Sequence, residues 1–348
     1  MNKTQKRWLI LSVSISLAVI LVVLFLTFDP ESTIAALQAA NPWIIVLAFA
    51  MHVVSLLFWA LRIQLMCRSL GYKIGFGHTF RLVCSNMFIA SVTPSQVGGE
   101  PVRIYEIHKA GVPTGDATAV VIMERVFDAV VLVICTIISV LLLGFVFTSI
   151  ELPQGWVYTS YAAAGVFTVL LGLFVIISKK PGLGKKLCRK VTGFFIRKWD
   201  SEKTEKFQTK LETGVDNFYT TLGHFTGKSK SGMAYGMIFS TLYWINEFII
   251  TYVVILGLGV PFSLEAFFLS FIFQILITVI LMIPLTPGGA GVAEVSLAGF
   301  YAFIVPSAVL GIFVVIWRLI MYYFNLAVGF IASLLILRRE AKGEPNGS

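Results

Sequence analysis

Residues 43–66 read WIIVLAFAMHVVSLLFWALRIQLM, and Arg62 is the one charged side chain in these 24 residues. As an α-helix the stretch reaches about 36 Å at 1.5 Å per residue, which exceeds the roughly 30 Å hydrocarbon core of a bilayer. Comparable runs lie at 8–28, 117–148, 156–178, 233–258 and 306–337. The sequence therefore predicts an all-α polytopic membrane protein.

The composition excludes a soluble protein. Of the 348 residues, 57% are hydrophobic and only 13% are charged, about half the charged fraction of soluble domains. The four cysteines show no CxxC spacing, and none of the four histidines belongs to an HExxH or similar motif. We therefore expect no catalytic residue, no metal site and no cofactor, and the protein is not predicted to be an enzyme.

The basic residues predict the orientation in the membrane, because loops rich in Lys and Arg stay in the cytoplasm. Residues 179–230 contain 13 Lys or Arg and 5 Asp or Glu, and both termini also carry Lys or Arg. The connectors 29–41, 151–155 and 259–265 contain no Lys or Arg. We expect a multi-pass protein of the cell membrane (plasma or inner) with both termini cytoplasmic. The first run is expected to be a retained span and not a cleaved signal peptide.

The domain prediction is a single membrane domain, 1–348. Its parts are a first span (8–28), repeat one (43–178), a basic cytoplasmic loop (179–230), repeat two (233–337) and a cytoplasmic tail (338–348).

Two further regions, 79–110 and 264–304, must each begin and end on the same side of the membrane. Each contains a Pro and Gly cluster at its middle, TPSQVGGEP (93–101) and PLTPGGAG (284–291). Broken backbone at membrane depth is tolerated where protein buries it or where it lines a cavity. We predict two re-entrant helix hairpins broken by Gly and Pro. The alternative is a helix-breaking loop at the membrane surface.

The two regions belong to an internal repeat. The twelve-residue spacing from Pro113 to Arg125 recurs from Pro306 to Arg318, at an offset of 193, and the glycine pairs of the two clusters recur at an offset of 190. Three of the predicted spans separate the copies, so the repeats are expected to be inverted. Inverted repeats place a substrate site near the bilayer midplane.

Charged side chains inside apolar spans face a bundle interior or a hydrated cavity and find partners there. The candidate substrate-binding residues of this kind are Glu100, Arg103, Glu124, Arg125, Asp128, Glu247, Glu294 and Arg318. Because Glu124, Arg125 and Asp128 are three or four positions apart, we expect one cluster on a helix face.

Two alternatives remain open for these candidates. Arginine binds phosphate with two parallel donors, so Arg125 and Arg318 either contact an anionic substrate or form structural ion pairs. For Arg318 the expected carboxylate partner is Glu247 or Glu294. The same two roles are open for Glu100 and for Glu294. Each either lines the substrate path or caps the helix that follows it.

The loop 179–230 also contains apolar residues at helical spacing, from Phe207 to Leu222. An amphipathic helix on an anionic lipid surface is one interpretation. The alternative is a cytoplasmic loop without a lipid role. Nucleic acid is not an expected partner.

Three motifs carry a family resemblance: P-x-x-x-G-G-E-P-x-R at 94–103, E-R-x-x-D at 124–128 and T-P-G-G-x-G-x-x-E at 286–294. With them the chain resembles, over about 8–337, the flippase-like membrane family. That family includes the flippase domain of the multiple peptide resistance factor, which moves lysyl-phosphatidylglycerol between leaflets. The resemblance implies a lipid path lined by Gly98, Gly99, Glu100, Arg103, Glu124, Arg125, Gly288, Gly289 and Glu294. The transferase activity of that family belongs to a soluble synthase domain, which we do not expect here.

Together these features predict a lipid translocator. Its partners are membrane lipids with phosphate headgroups, either anionic or zwitterionic phospholipids or polyprenyl-phosphate-linked lipids, and a homodimer is one candidate assembly. Transport is expected to be downhill or coupled to an ion through Glu100, Glu124 or Glu294. The alternatives are a membrane-embedded lipid-modifying enzyme, a subunit of a lipid glycosyltransferase system, or an ion or solute transporter.

Overall fold

A computed structural model describes residues 3–27, 30–91, 99–146, 230–282 and 286–341, with a few single positions between 165 and 227. Within these ranges the chain forms helices and no strands. The helices are α1 (Lys3–Thr27), α2 (Pro30–Ala39), α3 (Pro42–Ser69), α4 (Phe76–Ser91), α5 (Gly99–Lys109), α6 (Thr114–Val146), α7 (Lys230–Gly257), α8 (Leu264–Met282), α9 (Val292–Tyr301), α10 (Ser307–Arg318) and α11 (Phe324–Ala341). A 3₁₀ turn, Pro287–Gly289, precedes α9, and a π turn, Leu319–Tyr323, joins α10 to α11.

Five helical stretches in the described part of the chain are long and apolar enough to cross a membrane. They are Ile10–Thr27, Pro42–Ser69, Lys230–Gly257, Leu264–Leu281 and Ser307–Ile336. They agree with the all-α membrane fold, and four of them match predicted spans to within a few residues. The fifth, Leu264–Leu281, lies in the region 264–304 that was predicted to form a re-entrant hairpin. The predicted span 156–178, the loop 179–230 and most of the tail lie outside the described residues.

Local sequence fixes where the spans begin. Asn41 accepts a hydrogen bond from the Trp43 amide at 3.0 Å, and Pro42 occupies the first position of α3. Proline has no amide hydrogen, and this costs nothing at the first helical position because an amide there has no partner inside the helix. Pro306 likewise precedes α10. The predicted span 306–337 therefore begins at the expected place, although the π turn within it was not predicted.

Both Pro and Gly clusters separate two helices. Residues 92–98, outside the described ranges, lie between α4 and α5. The second cluster contains Gly288, Gly289 and Gly291, all with positive φ, at 59°, 67° and 83°. Residues other than glycine rarely adopt this backbone conformation, so the three glycines account for the interruption of the helix before α9. Their depth in a bilayer, and hence the re-entrant geometry, stays a prediction.

Helices of similar length follow one another in the same order in the two halves of the chain. Helices α3 and α7 each have 28 residues, α4 and α8 have 16 and 19, and α5 and α9 have 11 and 10. Helix α6 then corresponds to α10, the π turn and α11 together. Contacts also cross between the halves, since α4 packs on α11 and α8 packs on α6.

Helices α3 and α7 pack along their lengths and are antiparallel. The Asn41 amide, at the start of α3, donates to the Gly257 carbonyl at 2.8 Å. Near the other end, Arg62 donates to Ser240 at 2.6 Å. Residue numbers thus rise along α3 as they fall along α7. The connector 29–41 precedes the start of α3, and the connector 259–265 follows the end of α7, so both lie at the same end of the molecule. The side of the membrane that this end faces stays a prediction.

Candidate functional site

A cavity of about 450 Å³ lies between the helices of both halves. Its walls come from α3 to α8, from α10 and α11, and from the π turn between those last two. The lining residues are His52, Met87, Glu100, Arg125, Tyr243, Trp244, Glu247, Phe248, Gln274, Ile277, Thr278, Leu281, Trp317, Met321 and Asn325. This volume falls in the range of small-molecule sites, about 300–1,000 Å³. Charged groups that line a cavity between membrane-spanning helices are typical of a polar substrate path.

An ion pair forms one part of the cavity wall. The Arg125 Nε atom lies 2.8 Å from Glu100 Oε1, and the two side chains are 47% and 37% exposed. Glu100 lies in the first turn of α5, and Arg125 lies on α6. Both can therefore meet a ligand in the cavity without unfolding either helix, and Arg125 supplies it with guanidinium donors.

Behind this pair lies a fully buried network around Glu124. Its Oε1 accepts from Arg62 Nη2 at 2.8 Å and from Trp59 Nε1 at 2.8 Å. Its Oε2 accepts from Arg103 Nη1 at 3.0 Å. Arg103 lies in the second turn of α5, so the network anchors this short helix to α3 and α6. Such groups are expensive to bury unpaired, which makes the network structural support for the cavity wall.

Asp128 extends the same network toward α7. It accepts from Arg62 Nη1 at 2.6 Å and from Trp244 Nε1 at 3.1 Å. The expected cluster of Glu124, Arg125 and Asp128 is thus divided: Glu124 and Asp128 share Arg62, whereas the nearest Asp128 contact of Arg125 is 3.9 Å long. The division follows from burial, since Arg125 turns to the cavity and both acids turn to the interior.

A second Glu–Arg pair lies apart from the cavity, in contact with α1. Arg318 Nε is 2.7 Å from Glu294 Oε1, with both side chains buried. The Ser16 hydroxyl donates to the same carboxylate. Glu294 Oε2 accepts from the Gly291 amide at 2.8 Å. Glu294 therefore caps α9 and is the carboxylate partner of Arg318, whereas its place in a substrate path stays a prediction.

Glu247 does not pair with Arg318. Its Oε1 lies 2.9 Å from His52 Nδ1, and the other ring nitrogen, Nε2, lies 3.0 Å from Asn325 Oδ1. Sequence reasoning missed His52 and Asn325, because a lone histidine in an apolar span has no motif spacing. The signal available was the small number of polar residues on α3 and α7, which must find each other if these helices pack.

The glycines of the motifs hold helices close together. A Cβ on Gly99 would collide with the Asn86 side chain, and one on Gly288 would come within 2.6 Å of the Tyr322 ring. A Cβ on Gly289 would meet Leu281 at 2.8 Å. Gly98 lies outside the described residues. Close packing accounts for these three glycines, and their place in a lipid path stays a prediction.

The predicted residues thus fall into three groups. Glu100, Arg125 and Glu247 line the cavity, Arg103, Glu124 and Asp128 lie behind its wall, and Glu294 and Arg318 form the separate pair. No group of three metal-ligating side chains occurs in the part of the chain that the structure describes. The chemistry that the cavity offers is recognition of a charged group by a guanidinium, with carboxylates and an imidazole close by.

These features define a polytopic helical membrane protein with a charged cavity between its helices. The chain belongs to the family described as the lysylphosphatidylglycerol synthase TM region, whose model matches residues 9–329.

Relatives of similar length include a UPF0104 membrane protein of Archaeoglobus fulgidus, 31% identical over 92% of this chain and 95% of that protein. Another, of Methanothermobacter thermautotrophicus, is 28% identical over 90% of this chain and 91% of its own length. A protein named glycosyltransferase AglD, of Haloferax volcanii, is 27% identical over 82% of this chain but only 47% of its own length.

Proposed function

We propose that this protein is a lipid translocator of the cell membrane. It moves an anionic or zwitterionic phospholipid, or a polyprenyl-phosphate-linked lipid, between leaflets, and it is not an enzyme. The headgroup enters the cavity while the acyl or prenyl chains stay among the helices and surrounding lipid.

The exposed Glu100–Arg125 pair inside the cavity is the observation that carries this proposal. Two side chains that are 47% and 37% exposed within a bundle of apolar helices are available to a ligand. A phosphate can replace the Glu100 carboxylate as the acceptor of Arg125 and can bind the guanidinium through two parallel hydrogen bonds. Arg62 and Arg103 are buried behind the wall, where they pair with Glu124. Among the residues that line the cavity, Arg125 is therefore the guanidinium that is accessible to a phosphate.

The two halves of the chain support alternating access. Their helices match in order and approximate length, and the first helix of each half packs antiparallel against the other. This is the arrangement expected of inverted repeats, in which two similar halves exchange conformations around a central site. In the repeat, Glu294 and Arg318 correspond to Glu100 and Arg125. We propose that the sealed Arg318 pair opens in the opposite access state as the Arg125 pair closes.

The basic loop 179–230 is proposed to lie on the anionic cytoplasmic leaflet. Its 13 Lys or Arg against 5 Asp or Glu fit the electrostatic attraction of polybasic segments to such lipids. This surface would raise the local concentration of anionic headgroups near the cavity.

The name of one relative favours an alternative, in which this chain takes part in glycosyl transfer to a lipid. Over half of that glycosyltransferase has no counterpart in the match to this chain. The chain would then present or carry a lipid-linked substrate for a separate catalytic protein. A solute or ion transporter is a further alternative, and both can be distinguished by assay.

The test is reconstitution into liposomes that contain a trace of fluorescent lipid, followed by chemical quenching of the outer leaflet. Labelled phosphatidylglycerol, phosphatidylcholine and a polyprenyl phosphate are each compared with the same lipid in protein-free vesicles. We expect quenching beyond the outer-leaflet fraction for at least one of these lipids when the protein is present and not when it is absent. Quenching limited to the outer leaflet for every lipid would overturn the proposal. Product formation from a sugar donor would instead favour the enzyme.

A further inference from the structure

We propose that His52 and Glu247 form a proton-binding site that couples lipid movement to a proton gradient. The inference rests on the proposed function and identifies the proton as the second substrate of the same cavity. It differs from the sequence-based expectation, which assigned ion coupling to Glu100, Glu124 or Glu294.

The hydrogen bonds around His52 determine how many protons the site holds. Asn325 Nδ2 donates to the Met321 carbonyl at 2.8 Å, which turns Oδ1 toward His52 Nε2 at 3.0 Å. An amide oxygen only accepts, so Nε2 carries a hydrogen. On the other side, Nδ1 faces Glu247 Oε1 at 2.9 Å. A second hydrogen is needed between those two atoms, whether it belongs to the imidazole or to the carboxyl group.

The pair as it stands is therefore the proton-loaded form. A neutral imidazole beside an ionised carboxylate has only one ring hydrogen, and with that hydrogen on Nε2 two lone pairs would face each other at Nδ1 and Oε1. The loaded pair is neutral overall, either as imidazolium with carboxylate or as imidazole with carboxylic acid. Loss of the proton leaves one net negative charge and a repulsive contact between α3 and α7.

The proton can reach water through Glu247. His52 is 1% exposed, whereas Glu247 is 13% exposed, and both line the cavity. When the site unloads, the hydrogen shared by Nδ1 and Oε1 leaves from the carboxyl oxygen to a water molecule in the cavity. Reloading reverses the transfer, so the step needs no reactant other than water.

The other charged groups near this pair are already paired with one another. Helix α7 adds Tyr243 to the cavity wall, and Glu100 and Arg125, also on the wall, form an ion pair. Glu124 and Asp128 of α6 are held by Arg62.

Among the residues that the structure describes, the remaining elements packed on α3 add no further charged side chain to the cavity lining. Of the π-turn tyrosines, Tyr322 hydrogen-bonds Ser12 and Tyr323 hydrogen-bonds Ser16. Helix α4 contributes Met87 to the lining. The net charge of the cavity wall therefore changes with the His52–Glu247 pair, from zero when loaded to minus one when unloaded.

That change of charge couples the proton to the lipid. A phosphate headgroup with one negative charge is repelled by the unloaded cavity and accepted by the loaded one. Lipid and proton consequently cross together as an electrically neutral combination. For one proton per lipid, a gradient of one pH unit drives up to about tenfold enrichment of the lipid in the leaflet facing the alkaline side.

The experiment uses full-length protein in liposomes with labelled phosphatidylglycerol distributed evenly at the start. An imposed pH gradient should enrich the label in the leaflet on the alkaline side in wild type. His52→Gln and Glu247→Gln should lose this enrichment. The matched controls His108→Gln and Glu31→Gln change the same residue types at exposed positions and should keep it. Protein-free vesicles correct for unassisted redistribution, and thermal unfolding checks that each variant is folded.

If a variant fails to fold, a second measurement on the wild-type protein tests the coupling of proton to lipid. Short-chain phosphatidylglycerol added to wild-type protein in weakly buffered detergent at alkaline pH should cause uptake of one proton per lipid bound. An even distribution under the gradient, with exchange still occurring, would overturn coupling and leave the proposed function intact. Enrichment retained by both site variants would also overturn it. Absence of any exchange, with or without a gradient, would instead remove the proposed function.

Discussion

Arg125 is the residue on which substrate recognition depends in this account. Lysine at this position would keep the charge but lose the two-pronged donor. One charge-assisted hydrogen bond contributes about 1.5–3 kcal/mol, so Arg125→Lys should slow phosphatidylglycerol translocation about tenfold or more. Stability should change by less than about 1 kcal/mol, because an exposed ion pair contributes little.

The control for this change is Arg338→Lys, at an exposed position near the end of α11. It should leave the rate unchanged. Equal rates for Arg125→Lys and wild type would remove Arg125 from the recognition step.

Glu124, in contrast to Arg125, is expected to contribute to the stability of the fold and not to recognition of the lipid. Glu124→Gln would leave Arg62 and Arg103 buried with too little compensating charge. Breaking a buried ion pair from one side costs about 3–5 kcal/mol. Thermal unfolding in detergent should therefore show a large loss for Glu124→Gln and a small one for Glu31→Gln, at an exposed site on α2. Similar losses in the two variants would mean that the network around Glu124 does not hold α5 in place.

Sequence reasoning found most of the charged residues but not their partners. Arg318 had two candidate carboxylates, and only the packing of α1 and α9 around it decides for Glu294. His52 was missed because its partners, Glu247 and Asn325, come from α7 and α11, distant in sequence. Spacing along one helix reveals neighbours three or four residues apart, whereas these contacts depend on how helices pack in three dimensions.

Helices in this fold approach closely where small residues allow it. A Cβ on Gly329 of α11 would collide with the Cys84 carbonyl and lie 2.9 Å from the Phe88 amide nitrogen, both backbone atoms of α4. Backbone cannot move aside as a side chain can, so Gly329→Ala should push these helices apart and cost about 1–3 kcal/mol.

The matched variant is Gly299→Ala on α9, where an added Cβ has nothing within 4 Å. Alanine favours a helix over glycine by about 0.5–1 kcal/mol, so this change should be neutral or stabilising in a thermal-unfolding measurement. A destabilisation by Gly299→Ala as large as that by Gly329→Ala would contradict the close α4–α11 contact.

At the scale of whole elements the sequence was most informative. Apolar length predicted four of the five described spans, and the Pro and Gly clusters predicted where α4 and α8 end. The remaining stretch, Leu264–Leu281, was predicted as part of a hairpin. The π turn after Arg318 could not be predicted, because the residues LIMYY at 319–323 are compatible with an ordinary helix.

The topology of the whole molecule is tested by cysteine labelling from outside intact cells. On a background in which the four native cysteines are replaced, Lys73→Cys lies between α3 and α4 and Pro261→Cys lies between α7 and α8. The segment 67–81 contains Arg68, Lys73 and Arg81, whereas 259–265 contains no Lys or Arg. We therefore expect an impermeant reagent to label position 261 and not position 73. Labelling of position 73 alone would reverse the orientation, and equal labelling of both in sealed cells would contradict the span count between them.

The proposed route of the lipid headgroup is the cavity between the two halves of the chain. Thr278→Cys on the cysteine-free background places a thiol in the cavity wall, where a bulky disulfide-forming reagent can fill the space. Phosphatidylglycerol translocation should then fall to the rate of protein-free vesicles and return when a reductant removes the adduct, while the same treatment of Glu31→Cys has no effect. Unchanged translocation through a protein fully modified at position 278 would contradict this route.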